Sequence, residues 1–309
     1  MNANRLCEKA AIIGVGLIGS SLARAMREVG VAKEIVGFDQ SADVRARAVR
    51  CGVVDAAPDA IEEAVARADI VVVSTPVGAM ARVLADVAAK ADEGALVIDV
   101  GSVKGAVVEA ASKLGARVHI VPCHPVAGTE QSGPEAGFAA LFQHRWSIIT
   151  PLARNDAPYL DAVKKAAALW RAIGAEVEIM DHQHHDLALA ITSHLPHLIA
   201  FTLVGAADDL ESVAEAEIVK YSAGGFRDFT RIAASDPVMW RDVFLNNKTA
   251  ILEVLGRFTE ELALLQRAIR WGDAETLEKV FARGRTLRRA IVAAGQEKDV
   301  PNFGRDEKS

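Results

Sequence analysis

The sequence predicts an α/β domain built on a doubly wound, mainly parallel sheet, followed by an all-helical domain. Three observations predict it. Short β-branched runs alternate with Ala-rich helical stretches through the first 180 residues. The runs at 70–73 and 96–98 are apolar without alternation, the mark of strands covered on both faces. The strand pattern then stops, and nearly everything beyond residue 186 reads as helix. The expected division is 1–180, 181–295 and a polar tail over 296–309.

Strands are expected at 10–13, 34–38, 69–74, 95–100, 117–121, 146–150 and 176–180, with helices such as Leu17–Val29 and Val77–Lys90 between them, a βαβ series. In the helical part, Ile251, Leu255, Phe258, Leu262, Leu265 and Ile269 are spaced 4, 3, 4, 3, 4, a heptad seam. Ser235 with Asp236 and Pro237 predicts the start of this helix, a cap followed by Pro in the first turn. Gly272 and Asp273 predict its end and the next start. Packing within one bundle and a subunit interface explain the seam equally well.

Hydrophobic residues make up 51% and charged residues 25%, a globular composition; at 5% aromatic the core must be aliphatic. The net charge of −6 argues against nucleic-acid binding through a basic surface, and an anionic ligand would need local Arg or Lys. Cys7, Cys51 and Cys123 are far apart and without metal or redox spacing, which fits a reducing compartment, so a cytoplasmic protein is expected. No apolar run approaches the ~18 residues of a membrane span, and the first apolar stretch, broken by Gly14, Gly16 and Gly19, lacks a signal-peptide layout.

Residues 14–19 read G-x-G-x-x-G between a predicted strand and a predicted helix. In that context the glycines allow a tight turn, close approach of a pyrophosphate and close helix–strand packing, as in a Rossmann-type fold. The pyrophosphate would sit on free N–H groups at the helix start, Leu17 and Ile18 included. Asp39 lies 20 residues after Gly19, where a carboxylate holds ribose hydroxyls and repels a 2′-phosphate. NAD is therefore favoured, with NADP possible because Arg45 could fold back. Ser74, Thr75 and Pro76 follow the third strong strand, and Ser102 follows the fourth. Both loops belong at the carboxyl edge of the sheet, facing the nicotinamide end, although on its own the 74–77 loop is better explained as an ordinary strand–helix connection.

His124 opens a long segment rich in Gly, Pro and small polar residues. His182, His184, His185, His194 and His197 crowd into 16 residues at the domain junction. Zinc-site spacings are absent, so no metal is expected. Most of the cluster, His182 and His184 above all, would satisfy backbone groups at a crowded helix start. Arg227 and Arg231, four apart beside a Gly-Gly break, suit a carboxylate pocket, although surface ion pairs explain Arg227 as well.

Taken together, residues 14–19, 99–105 (DVGSVKG), 124–133 (HPVAGTEQSG), 192–197 (TSHLPH) and 224–240 (GGFRDFTRIAASDPVMW) resemble the prephenate/arogenate (cyclohexadienyl) dehydrogenases. The match runs in order from about residue 10 to residue 290. The resemblance implies a helical dimerisation domain, hence a homodimer. It also implies NAD(P)-dependent oxidative decarboxylation of prephenate or arogenate in tyrosine biosynthesis. By resemblance, His124 is the catalytic histidine on the ring hydroxyl and Ser102 shares that hydroxyl. Arg231 pairs with the ring carboxylate, and Ser193, His194 and His197 lie beside the substrate. Glu130 and Arg227 order or gate the pocket, with Arg227 standing where some members carry lysine. Two rival readings keep the architecture: a β-hydroxyacid dehydrogenase or imine reductase, whose lysine could only be Lys220 or Lys248, and a dinucleotide-binding sensor without turnover.

Overall fold

The computed structural model describes residues 5–129, 131–209 and 224–293. Two compact units divide it, Met1–Lys248 and Thr249–Ser309.

The first unit is organised by a five-stranded parallel sheet. Its strands are β1 (Cys7–Ile13), β2 (Ala32–Phe38), β3 (Ile70–Val73), β4 (Leu96–Asp99) and β5 (His119–Val121), in the order β2-β1-β3-β4-β5. The ladder aligns Ile13 with Phe38 and Val73, and Val73 with Asp99. The loops that leave these strands therefore open along one edge. The connections carry α1 (Leu17–Val29), α2 (Ala42–Arg50), α3 (Ile61–Val65), α4 (Val77–Lys90) and α5 (Gly105–Ser112). The β3 run IVVV is wholly buried, as its unbroken apolar sequence requires. Ile12, Leu22, Ile70 and Leu84 are fully buried in the same core, each contributing about 1.5–3 kcal/mol by leaving water.

The expected strands near 146 and 176 do not join this sheet. β7 (Trp146–Ile149) and β8 (Glu176–Ile179) form a second one with a strand the pattern does not reveal, β6 (Cys123–Pro125). β6 is three residues long and ends in proline, too short to show a period. It runs antiparallel to β7, pairing His124 with Ile148. Between β7 and β8 lies α6 (Ala157–Ala172), capped by Asp156, whose side chain accepts the Tyr159 N–H.

The chain then turns helical: α7 (His182–Leu189), a π-helical turn (Ala190–His194), and α8 (Leu195–Asp208). Contrary to the sequence expectation, the continuous stretch His182–Ala207 is long and apolar enough, by length and composition alone, to cross a bilayer. Its polar side chains His185, Asp186 and His194 are nevertheless buried in protein contacts. After α9 (Gly224–Thr230) and a 3-10 turn (Arg231–Ala234) comes α10 (Pro237–Asn246). Val77 and Val103, from the dinucleotide half, pack with Trp240 and Val243 of α10, which ties these helices into the first unit.

The expected single helix starting at Ser235 is two. Asp236, rather than Ser235, caps α10 by accepting the Val238 and Met239 N–H groups. The helix breaks at Asn247, whose side chain is spent on other partners, and α11 (Lys248–Trp271) follows. In the second unit Ile251 is buried, but Leu262 and Ile269 of the seam are exposed. Gly272, at φ 70°, ends α11, and Asp273 caps α12 (Ala274–Ala293) through the Thr276 N–H, as the sequence predicts.

Candidate active site

The glycine turn joins β1 to α1. Gly14 sits at φ 93°, and a Cβ there would fall on the Ser74 carbonyl, so this position needs glycine for conformation and for space. A Cβ on Gly19 would fall on the Gly14 carbonyl oxygen. Gly16 is different. It has φ −81° and nothing within 4 Å of where its Cβ would stand. Contacts within the chain thus explain Gly14 and Gly19 and leave Gly16 to an approaching ligand. Leu17 and Ile18, in the first turn of α1, present N–H groups there without a side-chain cap to occupy them.

Asp39 follows β2. Its Oδ2 accepts the Val15 N–H at 3.2 Å and its Oδ1 the Ser41 N–H at 3.0 Å, so the carboxylate is fixed against the glycine turn. Arg45 does fold back, but onto the Asp39 carbonyl oxygen at 2.7 Å and the Asp59 carboxylate. Ser74 and Thr75 are half-buried at the end of β3, with the Ser74 N–H bonded to Ile13, and Pro76 precedes α4. These residues form a fitting cradle for the dinucleotide.

Further along the same edge, the end of β4 meets β6. Asp99 and Lys104 form a fully buried ion pair. Asp99 Oδ1 accepts the Cys123 N–H at 3.1 Å, and Lys104 Nζ donates to the Cys123 carbonyl at 2.6 Å. Both backbone groups of the residue before His124 are thereby held. Burial beside Asp99 pushes the Cys123 thiol up to about 12, so it stays protonated and inert. Ser102 is half-buried in the turn between Asp99 and Lys104.

His124 itself is buried, and its Nδ1 lies 2.8 Å from Nε2 of His185. His185 Nδ1 lies 2.8 Å from Asp186 Oδ1. The Asp186 carboxylate also accepts the N–H groups of Lys104 and Gly105, both at 2.8 Å, at the start of α5. Burial pushes the Asp186 carboxyl up, but the His185 bond and those two N–H groups outweigh it and hold it below the ordinary value. Burial, with the neighbouring His185, Lys104 and His194, holds His124 well below 6.5, so it is neutral near pH 7.

His194, fully buried in the π-helical turn, is held down to about 4, chiefly by burial. Asn247 Nδ2 lies 3.1 Å from its Nδ1 and donates to the Asp186 carbonyl at 2.9 Å. An amide nitrogen only donates, so His194 accepts at Nδ1 and carries its proton at Nε2. That Nε2, and the Trp240 Nε1, are buried without a hydrogen-bond partner among the described residues. His197 donates from Nδ1 to the Ser193 carbonyl at 2.8 Å and stacks on Trp240 with 3.7 Å between ring centroids. Burial first, then the charge of Arg231, lowers its pKa.

The structure links His124 to His194, His194 to His197 and His197 to Arg231 as successive electrostatic neighbours, with Ser193 on the turn that carries His194. Arg231 and Arg227 are both exposed, but Arg231 acts on His197, whereas Arg227 lies 4.0 Å from Asp228, the surface pair the sequence allows as an alternative, and is not brought in. Glu130 lies outside the described residues. His184 is exposed, and the backbone group satisfied at this helix start is its own N–H, capped by the Asp181 side chain rather than by a histidine. Sequence reasoning missed His185, Asp186 and Asn247. The signal was available for the first two, a polar pair on the stripe that continues through Leu189 and Ala190, both buried. Among the described residues no three metal-ligating side chains converge.

A glycine turn at the carboxyl edge of a parallel sheet, a buried neutral histidine beyond the end of that sheet's last strand and a helical stretch after it fit a nicotinamide-dinucleotide dehydrogenase. Comparison with known proteins sharpens this. The family model described as "Prephenate dehydrogenase, nucleotide-binding domain" matches residues 22–179, and "Prephenate dehydrogenase, dimerization domain" matches 181–283. The chain belongs to the prephenate/arogenate dehydrogenase family. It is 42% identical to a cyclohexadienyl dehydrogenase of Zymomonas mobilis, over 91% of this chain and 95% of the relative. A prephenate dehydrogenase of Bacillus subtilis is 34% identical over 97% of this chain and 80% of its own length. Among solved structures, the prephenate dehydrogenase of Aquifex aeolicus in complex with hydroxyphenyl propionate and NAD+ superposes with a TM-score of 0.82 at 33% identity, covering 92% of this chain and 98% of that one.

Proposed function

We propose that the chain converts prephenate and/or arogenate to 4-hydroxyphenylpyruvate and/or tyrosine with loss of carbon dioxide. The observation that carries this reading is His124: buried, neutral, and fixed at the carboxyl edge of the sheet by its bond to His185. NAD held at Gly14, Gly16, Leu17, Ile18, Gly19, Asp39 and Ser74–Pro76 supplies the hydride acceptor. NAD is preferred over NADP because Asp39 presents a carboxylate there while Arg45 is engaged elsewhere.

His124 accepts the proton of the ring hydroxyl at Nε2, with Ser102 sharing that hydroxyl. Loss of hydride from the same carbon makes the ring an electron sink, the ring carboxylate departs as carbon dioxide, and the ring aromatises. Arg231 orients that carboxylate, which raises the rate by positioning. Among the described residues the buried His194 Nε2–H and Trp240 Nε1–H are donors without acceptors, a costly state that substrate oxygens would relieve. Ser193 and His197 complete this side of the site, His197 through the Nε2 lone pair that its Ser193 bond leaves free. The resemblance alone gives Glu130 and Arg227 a role in ordering or gating the pocket.

The match to a dimerization-domain model supports a homodimer built through residues 181–295. So do the exposed Ile269, Trp271, Phe281 and Leu287 of the second unit.

The test is an initial-rate assay of reduced-cofactor formation with NAD or NADP and prephenate or arogenate, in all four combinations. Turnover fastest with NAD and one of the two acids is expected. Silence in all four, from folded protein that binds NAD, would discard the reading.

A further inference from the structure

The bonds around His124 fix more than its position. The Asp186 carboxylate accepts from the backbone N–H groups of Lys104 and Gly105 and can only accept from His185 as well. His185 Nδ1 must therefore carry the proton. A neutral imidazole then has its lone pair at Nε2, so the proton between His185 and His124 belongs to His124 Nδ1. The His124 Nε2 is left as the basic atom. Each link forces the next, and the chain starts from an anion anchored on the first turn of α5.

We propose that His185 and Asp186 are positioning residues for the catalytic His124: they select its Nδ1–H tautomer, hold the ring, and accept from the imidazolium that forms when Nε2 takes the substrate proton. The inference rests on the proposed function and deepens it. The remaining charged and titratable groups around the pair are Lys104 and Asp99 from the β4–α5 turn, Cys123 from β6, His182 at the start of α7 beside Gly105, and His194 from the π-helical turn. Lys104 is neutralised by Asp99. Burial keeps Cys123 as a thiol and His194 neutral near pH 7, so neither can replace Asp186 as the anion behind the pair. His185 is itself kept neutral chiefly by burial, against the pull of Asp186, so it remains an acceptor toward His124. Carboxylate–imidazole partners of this kind fix tautomer and basicity in other active sites.

Two experiments test this. The first needs no substrate: histidine-ring proton–nitrogen correlation spectra of the 15N-labelled protein at pH 7.5, with His124 and His185 assigned from their single Asn variants. Both rings should show a protonated Nδ1 and a bare Nε2; a proton on His124 Nε2 would overturn the proposal.

The second compares His185→Gln, whose amide oxygen can still accept from His124 Nδ1, with His185→Phe, which cannot. His185→Phe should lower kcat about 10²–10³-fold, with KM and NAD affinity within about twofold. The acid limb of its kcat–pH profile should move to lower pH, because the His124 imidazolium loses its acceptor. His185→Gln should recover at least about tenfold of the loss, since part of the hydrogen bond survives. A His185→Phe kcat within about twofold of wild type, or a fall in kcat matched by a rise in KM with an unmoved acid limb, would refute the positioning role. Should the variants fail to fold, the tautomer in the unmodified protein still decides. Absence of wild-type turnover would count against the proposed function, while the spectra would still judge the relay.

Discussion

The glycine turn and the histidine cluster lie along the same edge of one sheet, yet they are held there by opposite means. The turn is made of six consecutive residues, and its shape follows from what is missing: a side chain on Gly14 or Gly19 would strike backbone. The cluster is made of residues up to 124 positions apart in sequence, from Cys123 and His124 on β6 to Asn247 after α10, and is held by what is present. One depends on steric exclusion, which is robust to pH. The other depends on buried polar bonds, which are not. A dehydrogenase needs both: a rigid seat for the cofactor and a base whose proton can move.

The largest effect that would sharpen this contrast is at the base. His124→Asn should lower kcat about 10²–10⁴-fold, the usual worth of a general base, while NAD binding, followed by fluorescence titration, stays within about twofold. A near-wild-type kcat would remove His124 from the chemistry.

Next is the clamp beneath it. Lys104→Met leaves Asp99 buried without its cation and should destabilise the fold by about 3–5 kcal/mol in a denaturant titration. A change under about 1 kcal/mol would show that the pair contributes little beyond what its hydrogen bonds supply.

The pH response comes third. His194 is neutral in the fold down to about pH 4 but would titrate near 6.5 when unfolded. The unfolded chain therefore binds its proton first, and stability present above pH 6.5 is lost as pH falls toward 4, on the order of 3 kcal/mol from this group. His124, His185 and His197 are shifted in the same direction. Melting temperature should fall steeply between pH 6.5 and 4.5, and less so in His194→Asn. An unchanged pH slope in that variant would assign the loss to other groups.

The smallest effect isolates the turn. Gly16→Ala has free space for its methyl and should leave the melting temperature within about 2 °C, since ΔΔG stays near zero. NAD affinity should nevertheless fall about tenfold, because a methyl there obstructs the pyrophosphate. Gly19→Ala should instead destabilise the protein outright. If Gly16→Ala binds NAD normally, the cradle lies elsewhere.

The same contrast explains what could be read in the sequence. Gly14–Gly19 and Asp39 are legible because turn, strand and helix are local, and the β-branched runs declare their own burial. β6 is hidden because three residues ending in proline show no period. The helix break at Asn247 is hidden because no Gly or Pro marks it, and the Asn247 side chain is instead held by His194, 53 residues away. His124 and His194 stand out as residues, but the pairing of His124 with His185, 61 positions on, is a property of the fold. Arg227 shows the converse. Its spacing from Arg231 is ideal on a continuous helix, but α9 ends at Thr230 and the chain enters a 3-10 turn, which leaves Arg227 on the surface.

The π-helical turn at Ala190–His194 has a consequence of phase. His185 and His194 are nine positions apart, and in an uninterrupted α-helix they would point about 180° from each other, at roughly 100° per residue. A π turn absorbs one residue without advancing the helix, which cuts that angle to about 80°. Two histidines that a regular helix would set back to back are thus brought onto adjoining faces, where both are fully buried. Deleting one residue from this turn would keep every side chain named here and dismantle their arrangement, whereas most single substitutions within it would not. Register, more than residue identity, is what this stretch of chain has to preserve.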